Sequence, residues 1–328
     1  MNNKSIFILK VLKKLYAKVF KVKTIIKVSC EENPDIAAQI IYEKLVKEEP
    51  CMIARFGSTE LIAMVNNLGV KQGRNNIWTY IKGETLSWWW NKNILNQMQQ
   101  WSGFFPPTEE KVEQFCELML QDIKEVDVLG SWDVNERYFI NNMNSERVEL
   151  RLLEPFWADL PWTSALKGKK VLVIHPFSET ILAQYKKREL LFDNKSILPE
   201  FESLNVIKAV QTLGKASPEY ADWFEALESM KRQIDETDFD VCLIGAGAYG
   251  FPLAAHVKRI GKIGFHLGGA LQLLFGIRGK RWEDPNYGVK RRGIPYGLYS
   301  SMMNEHWTRP GESEKPKNAN SVEGACYW

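Results

Sequence analysis

Short apolar runs alternate with longer segments of helical periodicity over most of this chain, and turn-forming residues separate the two kinds of segment. Runs with the length of buried strands lie at 51–55, 126–129, 170–174, 204–210, 240–244 and 262–265. Segments with helical patterns lie at 36–48, 61–67, 108–124, 179–188, 218–237, 252–260 and 270–275. Strands that alternate with helices are typical of a mostly parallel sheet with helices on both faces. The pattern therefore predicts an α/β fold.

The N-terminal segment 1–28 has a pattern of its own, because it contains eight lysines and no acidic residue. Its longest uninterrupted apolar run, 6–9, is far shorter than the roughly 20 residues that a membrane-spanning helix needs. Apolar residues recur at helical spacing while lysines gather on another face; the apolar positions are Ile8, Leu12, Leu15 and Val19. This pattern favours an amphipathic helix that lies on an anionic membrane surface. A first helix packed on the domain, with a solvated lysine face, is the alternative.

Changes in composition divide the chain into three parts. The basic amphipathic segment 1–28 precedes the α/β domain, which is predicted at 29–308. A polar C-terminal tail is predicted at 309–328, because the chain there is rich in proline and polar residues. The tail ends in an unusual Cys-Tyr-Trp string.

Composition excludes several classes of protein. The 45% hydrophobic and 25% charged content over 328 residues indicates a folded chain with a sizeable core. Five cysteines without a CxxC pair, and four histidines without helical pairing, argue against a disulfide framework and a zinc site and favour the reducing cytoplasm. Outside 1–28 acidic residues outnumber basic ones, so no nucleic-acid partner is expected.

Polar residues and glycines cluster where the predicted strands end. In open α/β sheets, ligands bind outside the carboxyl ends of the strands. We therefore expect these segments to form one anion-receiving cleft. The candidate substrate-binding residues are Phe56, Gly57, Ser58, Asp133, Gly245, Gly247, Tyr249, Gly250, His266 and Gly268.

The most specific of these segments is a GxGxxG turn formed by Gly245, Gly247 and Gly250 after a predicted strand. Glycines let the backbone approach a ligand closely, and the N–H groups at the start of the next helix favour a diphosphate. A dinucleotide site would end the following strand in an acidic residue, whereas that strand here ends in His266. A phosphate-bearing ligand is expected, without NAD or flavin. Alternatively, the glycines serve only tight packing between strand and helix.

Four residues are candidates for the catalytic groups. Arg55 offers a planar fork for phosphate or carboxylate, although a structural salt bridge is its alternative role. Glu60 lies one helical turn beyond Gly57 and is either a functional carboxylate or a helix cap. His175 and Glu179 follow a later strand and could supply acid–base chemistry, whereas a histidine bonded to a backbone carbonyl is the alternative.

Two other groups of residues are considered as ligand contacts. Arg278, Lys280 and Arg281 could neutralise a diphosphate or form a solvated basic loop. Three successive tryptophans, 88–90, lie in the polar, aromatic-rich region 73–107, to which no element is assigned. They could stack on sugar rings, although core packing is the more common role of such a run.

The turn Arg55-Phe56-Gly57-Ser58-Thr59-Glu60 and the segment 240–269 resemble the GT-D-type glycosyltransferases of bacterial surface polysaccharide and glycoprotein assembly. That family carries an Arg-Phe-Gly-Asp-Gly-Glu turn after its first strand. Near its C-terminus it has a strand, a glycine-containing turn, a helix and a further strand ending close to glycine. The resemblance implies a single Rossmann-like domain that transfers a sugar from a nucleoside-diphosphate-sugar, with a UDP-sugar as the preferred donor. The implied acceptor is a glycan or a lipid-linked molecule, reached from the cytoplasmic face of the membrane.

The resemblance leaves the metal requirement open. The family's turn holds an acidic-x-acidic pair associated with a divalent cation, and Ser58 replaces the first acid here. Mn²⁺ or Mg²⁺ would then be held through Glu60, alone or with help from Asp133 or Glu179, unless transfer proceeds without metal. Two other functions remain: a nucleotide-dependent oxidoreductase or methyltransferase, and a non-catalytic scaffold of a polysaccharide assembly complex.

Overall fold

Parallel strands form one seven-stranded sheet in the computed structural model, which describes residues 3–22, 27–73, 75–212, 217, 219–315 and 326–328. Each strand pairs with its neighbours in parallel, as the alternation of strands and helices predicts. The strands are β1 Cys51–Ala54, β2 Val128–Ser131, β3 Glu146–Glu149, β4 Lys170–His175, β5 Ser203–Lys208, β6 Val241–Ile244 and β7 Ile263–His266.

The strand order across the sheet is β3-β2-β1-β7-β6-β4-β5. The chain first runs outward from β1 to β3, then crosses to β4 and β5, and finally returns to the centre through β6 and β7. Strand β7 pairs with β1 on one side and with β6 on the other. The carboxyl ends of β1, β7, β6 and β4 are therefore neighbours at one edge of the sheet.

Helices cover both faces of the sheet and enclose two apolar core layers. One layer includes residues of α3, α6, α9 and α10, whereas the other includes residues of α2 and α11. The helices are α1 Asn3–Val19, α2 Pro34–Val46, α3 Ser58–Gln72, α4 Ile77–Lys82, α5 Lys92–Ser102, α6 Glu109–Asp122, α7 Ser178–Tyr185, α8 Arg188–Leu191, α9 Trp223–Asp235, α10 Gly250–Arg259, α11 Leu271–Leu274, α12 Lys280–Glu283 and α13 Val289–Arg292. The expected α/β fold, a single Rossmann-like domain with an N-terminal helix, is confirmed.

Several elements differ from the sequence-based expectation. The edge strand β3 was not expected, because Val148 is its one buried residue and no apolar run marks it. The region 73–107 contains two helices, α4 and α5, whose asparagine N-caps, Asn76 and Asn91, satisfy their first backbone N–H groups. Helix α9 begins at Trp223, after the N-cap Asp222, whereas the expected start at 218 lies outside the described residues.

Helix α1 packs against α4 and buries only part of its apolar surface. Leu9 is buried among Tyr80, Ile81 and Trp89, and Trp88 packs beside them, so the tryptophan run has the packing role that is usual for it. The apolar positions that face away stay exposed: Phe7, Ile8, Val11, Leu12, Leu15 and Val19. Among the described residues, no helix is long and apolar enough to cross a membrane.

Both described parts of the predicted C-terminal tail pack against the α/β domain. Glu314 is buried and accepts hydrogen bonds from the backbone N–H of Glu179 at 2.7 Å and from the Thr180 hydroxyl. Cys326 and Trp328 are also buried. Residues 316–325, which were predicted to belong to the same polar tail, lie outside the described residues.

Candidate functional site

A cleft of about 220 Å³ opens at the carboxyl ends of β1, β4, β6 and β7. The turns after these four strands supply much of its lining, which places Arg55 and Gly247 in the same cavity. Ten of the candidate residues line it: Arg55, Gly57, Ser58, Glu60, His175, Gly245, Gly247, Tyr249, His266 and Gly268. The sheet edge therefore brings together most of the residues that the strand-end rule selects.

Four candidate residues do not line this cleft. Phe56 is fully buried and stacks on Phe251 with ring centroids 5.0 Å apart. The Asp133 carboxylate caps the 3₁₀ helix Val134–Tyr138 and accepts the Asn135 N–H at 2.8 Å. Glu179 is exposed and faces Ser313, whereas Gly250 packs beneath a histidine ring. The structure therefore places Asp133 and Glu179 away from the substrate and catalytic positions expected for them, because capping and solvent direct their side chains elsewhere.

Arg55 lies immediately after β1 and is half-buried. Its guanidinium makes no salt bridge within 4.0 Å and no hydrogen bond with any described residue, so the structural salt bridge is not formed. The group lies 5.7 Å from the centre of the Trp132 ring. Burial lowers the pKa of Arg55, and the nearby Glu60 carboxylate opposes this shift. An arginine with unused donors in a cleft is suited to bind an anion.

Glu60 lies in the first turn of α3, where its side chain is 8% exposed. Its carboxylate folds over Gly57, so that a Cβ at position 57 would lie 1.8 Å from Oε2. No hydrogen bond from the backbone of the described residues reaches this carboxylate, so the capping role is not formed. Among the described residues that line the cleft, Glu60 is the sole one with a carboxylate side chain. It is therefore available for an exogenous group.

Two buried histidines, His175 and His266, form part of the cleft wall. Burial lowers the pKa of each to about 3, and the positive charge of Arg55 further lowers that of His266. Both rings are therefore neutral at physiological pH. Nδ1 of His175 accepts the backbone N–H of Phe177 at 3.0 Å, which leaves the proton on Nε2. His175 thus offers a hydrogen-bond donor, whereas Nδ1 of His266 has no partner among the described residues.

The GxGxxG turn combines close packing with ligand access. A Cβ at Gly245 would lie 2.6 Å from Cδ2 of His175 and 2.8 Å from the Gly268 carbonyl oxygen. Gly247 has φ of +54°, a left-handed conformation that favours glycine. Gly245 and Gly247 line the cleft, but Gly250 does not. Tight packing accounts for glycine at positions 245 and 250, while the positive φ accounts for Gly247.

Gly250→Ala is expected to destabilise the protein by roughly 1–3 kcal/mol, the usual cost of overpacking a core. The new Cβ would lie 2.1 Å from the buried ring of His266. The backbone itself tolerates alanine, because Gly250 has φ −60° and ψ −40°. Alanine even favours the helix by up to about 1 kcal/mol. Urea unfolding measures the net change.

The His266→Ala background provides the control for this overpacking. Without the ring, Gly250→Ala is expected to become neutral or stabilising, since only the helix preference remains. An equal destabilisation in both backgrounds would contradict the packing role assigned to Gly250.

The sequence-based selection missed part of the cleft wall. Arg281, from the basic loop considered as a diphosphate contact, lines the cleft, and so does Arg292, which was not selected. The Arg292 guanidinium lies 5.5 Å from the centre of the Trp132 ring. Tyr327 lies against Gly269, and the centre of its ring is 4.2 Å from Cζ of Arg281. Trp328 also lines the cleft. The unusual Cys-Tyr-Trp string was the one signal in the sequence that could have identified these aromatic residues.

The cleft offers little for a metal ion held by protein ligands. Among the described residues, no group of three or more His, Cys, Asp or Glu side chains could hold one. Glu60 supplies the sole carboxylate side chain of the described lining, and the suggested additional ligands, Asp133 and Glu179, lie outside it. Binding of Mn²⁺ or Mg²⁺ through Glu60 stays a prediction.

Comparisons with protein-family models, with curated proteins and with solved structures find no match for this chain. Its chemistry is therefore inferred from the cleft. The cavity contains the Arg55 guanidinium, the Glu60 carboxylate and neutral histidines, with glycine turns that expose backbone groups. This set can bind an anion and accept a proton within one cleft.

Proposed function

We propose that this protein is a glycosyltransferase that takes a sugar from a nucleoside-diphosphate-sugar, preferentially a UDP-sugar. The observation that carries the proposal is the Arg55 guanidinium, which lies in the cleft without a partner among the described residues. A cation that has lost part of its solvation is stabilised when an anion or hydrogen bonds compensate that loss. The diphosphate of a nucleotide sugar provides that compensation.

The charge and backbone geometry of the cleft support a diphosphate ligand. Arg281 and Arg292 add two cations to Arg55, against the one carboxylate side chain of the described lining. Helix α3 begins at the cleft wall, where Ser58 and Thr59 contribute to the lining. The first N–H groups of an α-helix have no partner within the helix, and they favour negative charge. Three cations and a helix N-terminus thus act on one cavity.

Glu60 is the general base in this proposal. It removes the proton from the acceptor hydroxyl as that oxygen bonds to the anomeric carbon, while the bond from this carbon to the diphosphate oxygen breaks. Arg55 and the helix N–H groups stabilise the charge on the departing diphosphate. The His175 ring stays neutral throughout, and its Nε2–H is available to donate a hydrogen bond to the bound substrate. As the alternative to the base, Glu60 would hold Mn²⁺ or Mg²⁺, which would add charge stabilisation for the departing diphosphate.

A nucleotide-dependent oxidoreductase or methyltransferase is less consistent with the topology. In the dinucleotide-binding fold, the glycine fingerprint follows the first strand, and an acidic residue at the next strand end binds the ribose. Here the glycine turn follows β6, and β7 ends in His266. The non-catalytic scaffold is disfavoured by a cavity that holds both the Arg55 guanidinium and the Glu60 carboxylate, neither engaged as a salt bridge or a cap.

A thermal-shift panel tests the assignment. UDP and UDP-sugars should raise the melting temperature, since a ligand at about a hundred times its Kd stabilises a protein by about 2.7 kcal/mol. Stabilisation by NAD(H) or S-adenosylmethionine instead would move the protein into the rival enzyme classes. A lack of response to every nucleotide would favour the scaffold.

The proposed enzyme works at the cytoplasmic face of a membrane, where a lipid-linked or glycan acceptor is built. The support comes from α1, whose exposed apolar stripe and lysines suit a helix lying in an anionic interface. Helix α4, which packs against α1, exposes Trp78 and Ile77 as well. Tryptophan is enriched at membrane interfaces.

Charge reversal at Lys10, Lys14 and Lys18 is expected to weaken binding to vesicles that contain phosphatidylglycerol by more than roughly 100-fold, because the loss of each lysine alone removes about 1 kcal/mol near an anionic surface and the introduced negative charge adds repulsion. Cosedimentation measures this binding. The matched control reverses three lysines outside α1, Lys47, Lys124 and Lys186, and should bind like the unmodified protein. Equal binding of all three proteins, or no binding to these vesicles, would refute the membrane contact.

A further inference from the structure

A second chamber of about 410 Å³ adjoins the cleft. The two cavities share six lining residues, which form a partition between them: Arg55, Trp132, Gly269, Arg281, Arg292 and Tyr327. The remaining wall of the chamber comes from the segments that follow β3 and β7, from residues near α12 and α13, and from two residues before α2. A ligand that spans the partition would therefore touch both cavities.

Beyond the partition, the chamber differs from the cleft in charge. Apart from the partition, its described wall contains three carboxylates, from Glu32, Glu149 and Glu154, against two cations, Lys27 and Arg151. The three partition arginines line both cavities, and on the cleft side the Glu60 carboxylate is the one carboxylate side chain of the described lining. A diphosphate is therefore favoured at the partition and disfavoured deeper in the chamber.

Aromatic rings and hydrogen-bonding groups line the chamber together. Trp132, Tyr287 and Tyr327 are partly exposed on its wall, close to Arg292 and Arg281. Ring faces pack against the C–H face of a sugar, while carboxylates and guanidinium groups bond to its hydroxyls. An apolar ligand would displace water from these charged groups without replacing the hydrogen bonds of that water, which is costly.

Glu154 is the best-positioned carboxylate in the chamber. It accepts hydrogen bonds from the Tyr299 hydroxyl at 2.9 Å and from Nε1 of Trp157 at 3.0 Å, so its orientation is held. No cation of the described residues forms a salt bridge with it within 4.0 Å. Burial raises the pKa of Glu154 to about 7. Glu154 lines the chamber, whose volume of about 410 Å³ has room for a sugar ring.

We propose that this chamber is the acceptor subsite. It binds a polyhydroxylated sugar ring through Glu154, Arg151 and the two aromatic residues of the partition, Trp132 and Tyr327. This inference rests on the proposed glycosyl transfer, since it assigns the donor diphosphate to the cleft. The acceptor hydroxyl then reaches the reacting carbon beside Arg55, where the two cavities meet. Glu154 binds and orients the acceptor, whereas Glu60 removes its proton.

Saturation-transfer NMR with N-acetylglucosamine, methyl β-glucoside and methyl β-galactoside tests the chamber in the presence and absence of UDP. We expect saturation transfer to at least one of these sugars, and at least a tenfold loss of affinity in Glu154→Gln and in Arg151→Met. The amide oxygen of the Glu154→Gln variant would still accept the bonds from Tyr299 and Trp157, so the fold is preserved. UDP affinity should stay within twofold of the unmodified protein.

The pH dependence separates binding by Glu154 from a merely structural role. An ionised carboxylate is the stronger acceptor, so sugar affinity should rise as the pH increases through about 7 and stay flat in Glu154→Gln. Glu110→Gln, on the exposed first turn of α6, is the matched control and should keep the pH dependence of the unmodified protein.

The outcomes distinguish this inference from the glycosyltransferase assignment. UDP binding with no sugar response, or with a sugar response unaffected by both variants, overturns the acceptor subsite and leaves the donor assignment intact. Sugar binding lost in the variants, but without any UDP binding, supports the chamber as a sugar site and refutes the donor. Failure of both ligands to bind overturns both proposals.

Discussion

Glu60→Gln is expected to lower kcat for sugar transfer by roughly 10²–10⁴-fold, the usual contribution of a positioned general base. The substituted glutamine would keep the shape of the side chain above Gly57, so the fold and the affinity for UDP should change little. The loss should appear in kcat, because proton removal belongs to the transition state rather than to substrate binding. Steady-state kinetics with a UDP-sugar and an acceptor glycan give both constants.

Helix α6 offers a matched control for this substitution. Glu110 lies in the first turn of α6, as Glu60 does in α3, but it is exposed and does not line the cleft. Glu110→Gln should leave kcat unchanged, which separates loss of the base from loss of a favourable charge at a helix N-terminus. Full activity in Glu60→Gln would remove Glu60 from the mechanism.

Arg55→Met is expected to weaken UDP binding by roughly 10–100-fold, since hydrogen bonds to charged groups contribute about 1.5–3 kcal/mol. Methionine keeps much of the side-chain volume but removes the planar group that lies over Trp132. Arg55→Lys should recover only part of the affinity, because a lysine retains the charge without the bidentate fork. Isothermal titration calorimetry measures each Kd.

Arg232 provides the control for a lost guanidinium. It lies on the exposed side of α9 and does not line the cleft. Arg232→Met should bind UDP like the unmodified protein. Equal affinities of Arg55→Met and Arg232→Met would show that Arg55 is not the diphosphate ligand.

Buried strands were the most predictable part of the fold. Strands β1, β6 and β7 are buried along their whole length, so they read as short apolar runs in the sequence. Because parallel strands place their carboxyl ends at one sheet edge, the turns after these runs could be assigned to one site without a structure. The edge strand β3 lacked such a run, since solvent reaches most of its residues.

Side-chain direction was not predictable from strand ends. Asp133 follows β2 closely, yet its carboxylate satisfies a local N–H group of the next turn. Glu179 lies in the first turn of α7 near the cleft, but its side chain is exposed, and its backbone N–H and the Thr180 hydroxyl donate to Glu314. Local capping competes with ligand binding for such carboxylates, and sequence position alone does not decide between them.

Residues from short segments near the C-terminus were also beyond prediction. Arg292 and Tyr327 reach the cleft from segments distant in sequence from its strand-end turns. These segments have no periodic pattern of apolar residues, so nothing in the sequence indicated that they fold back to the cleft. Their arrival adds a cation and an aromatic ring to the partition between the two cavities. This contribution depends on tertiary packing rather than on a motif.

A crystal structure with UDP bound tests the central claim most directly, namely that the strand-end turns form one anion-receiving cleft. The diphosphate should lie within hydrogen-bond distance of the Arg55 guanidinium, between the start of α3 and the turn at Gly268. Density for UDP at any other surface, with Arg55 unchanged and unbonded, would contradict the account.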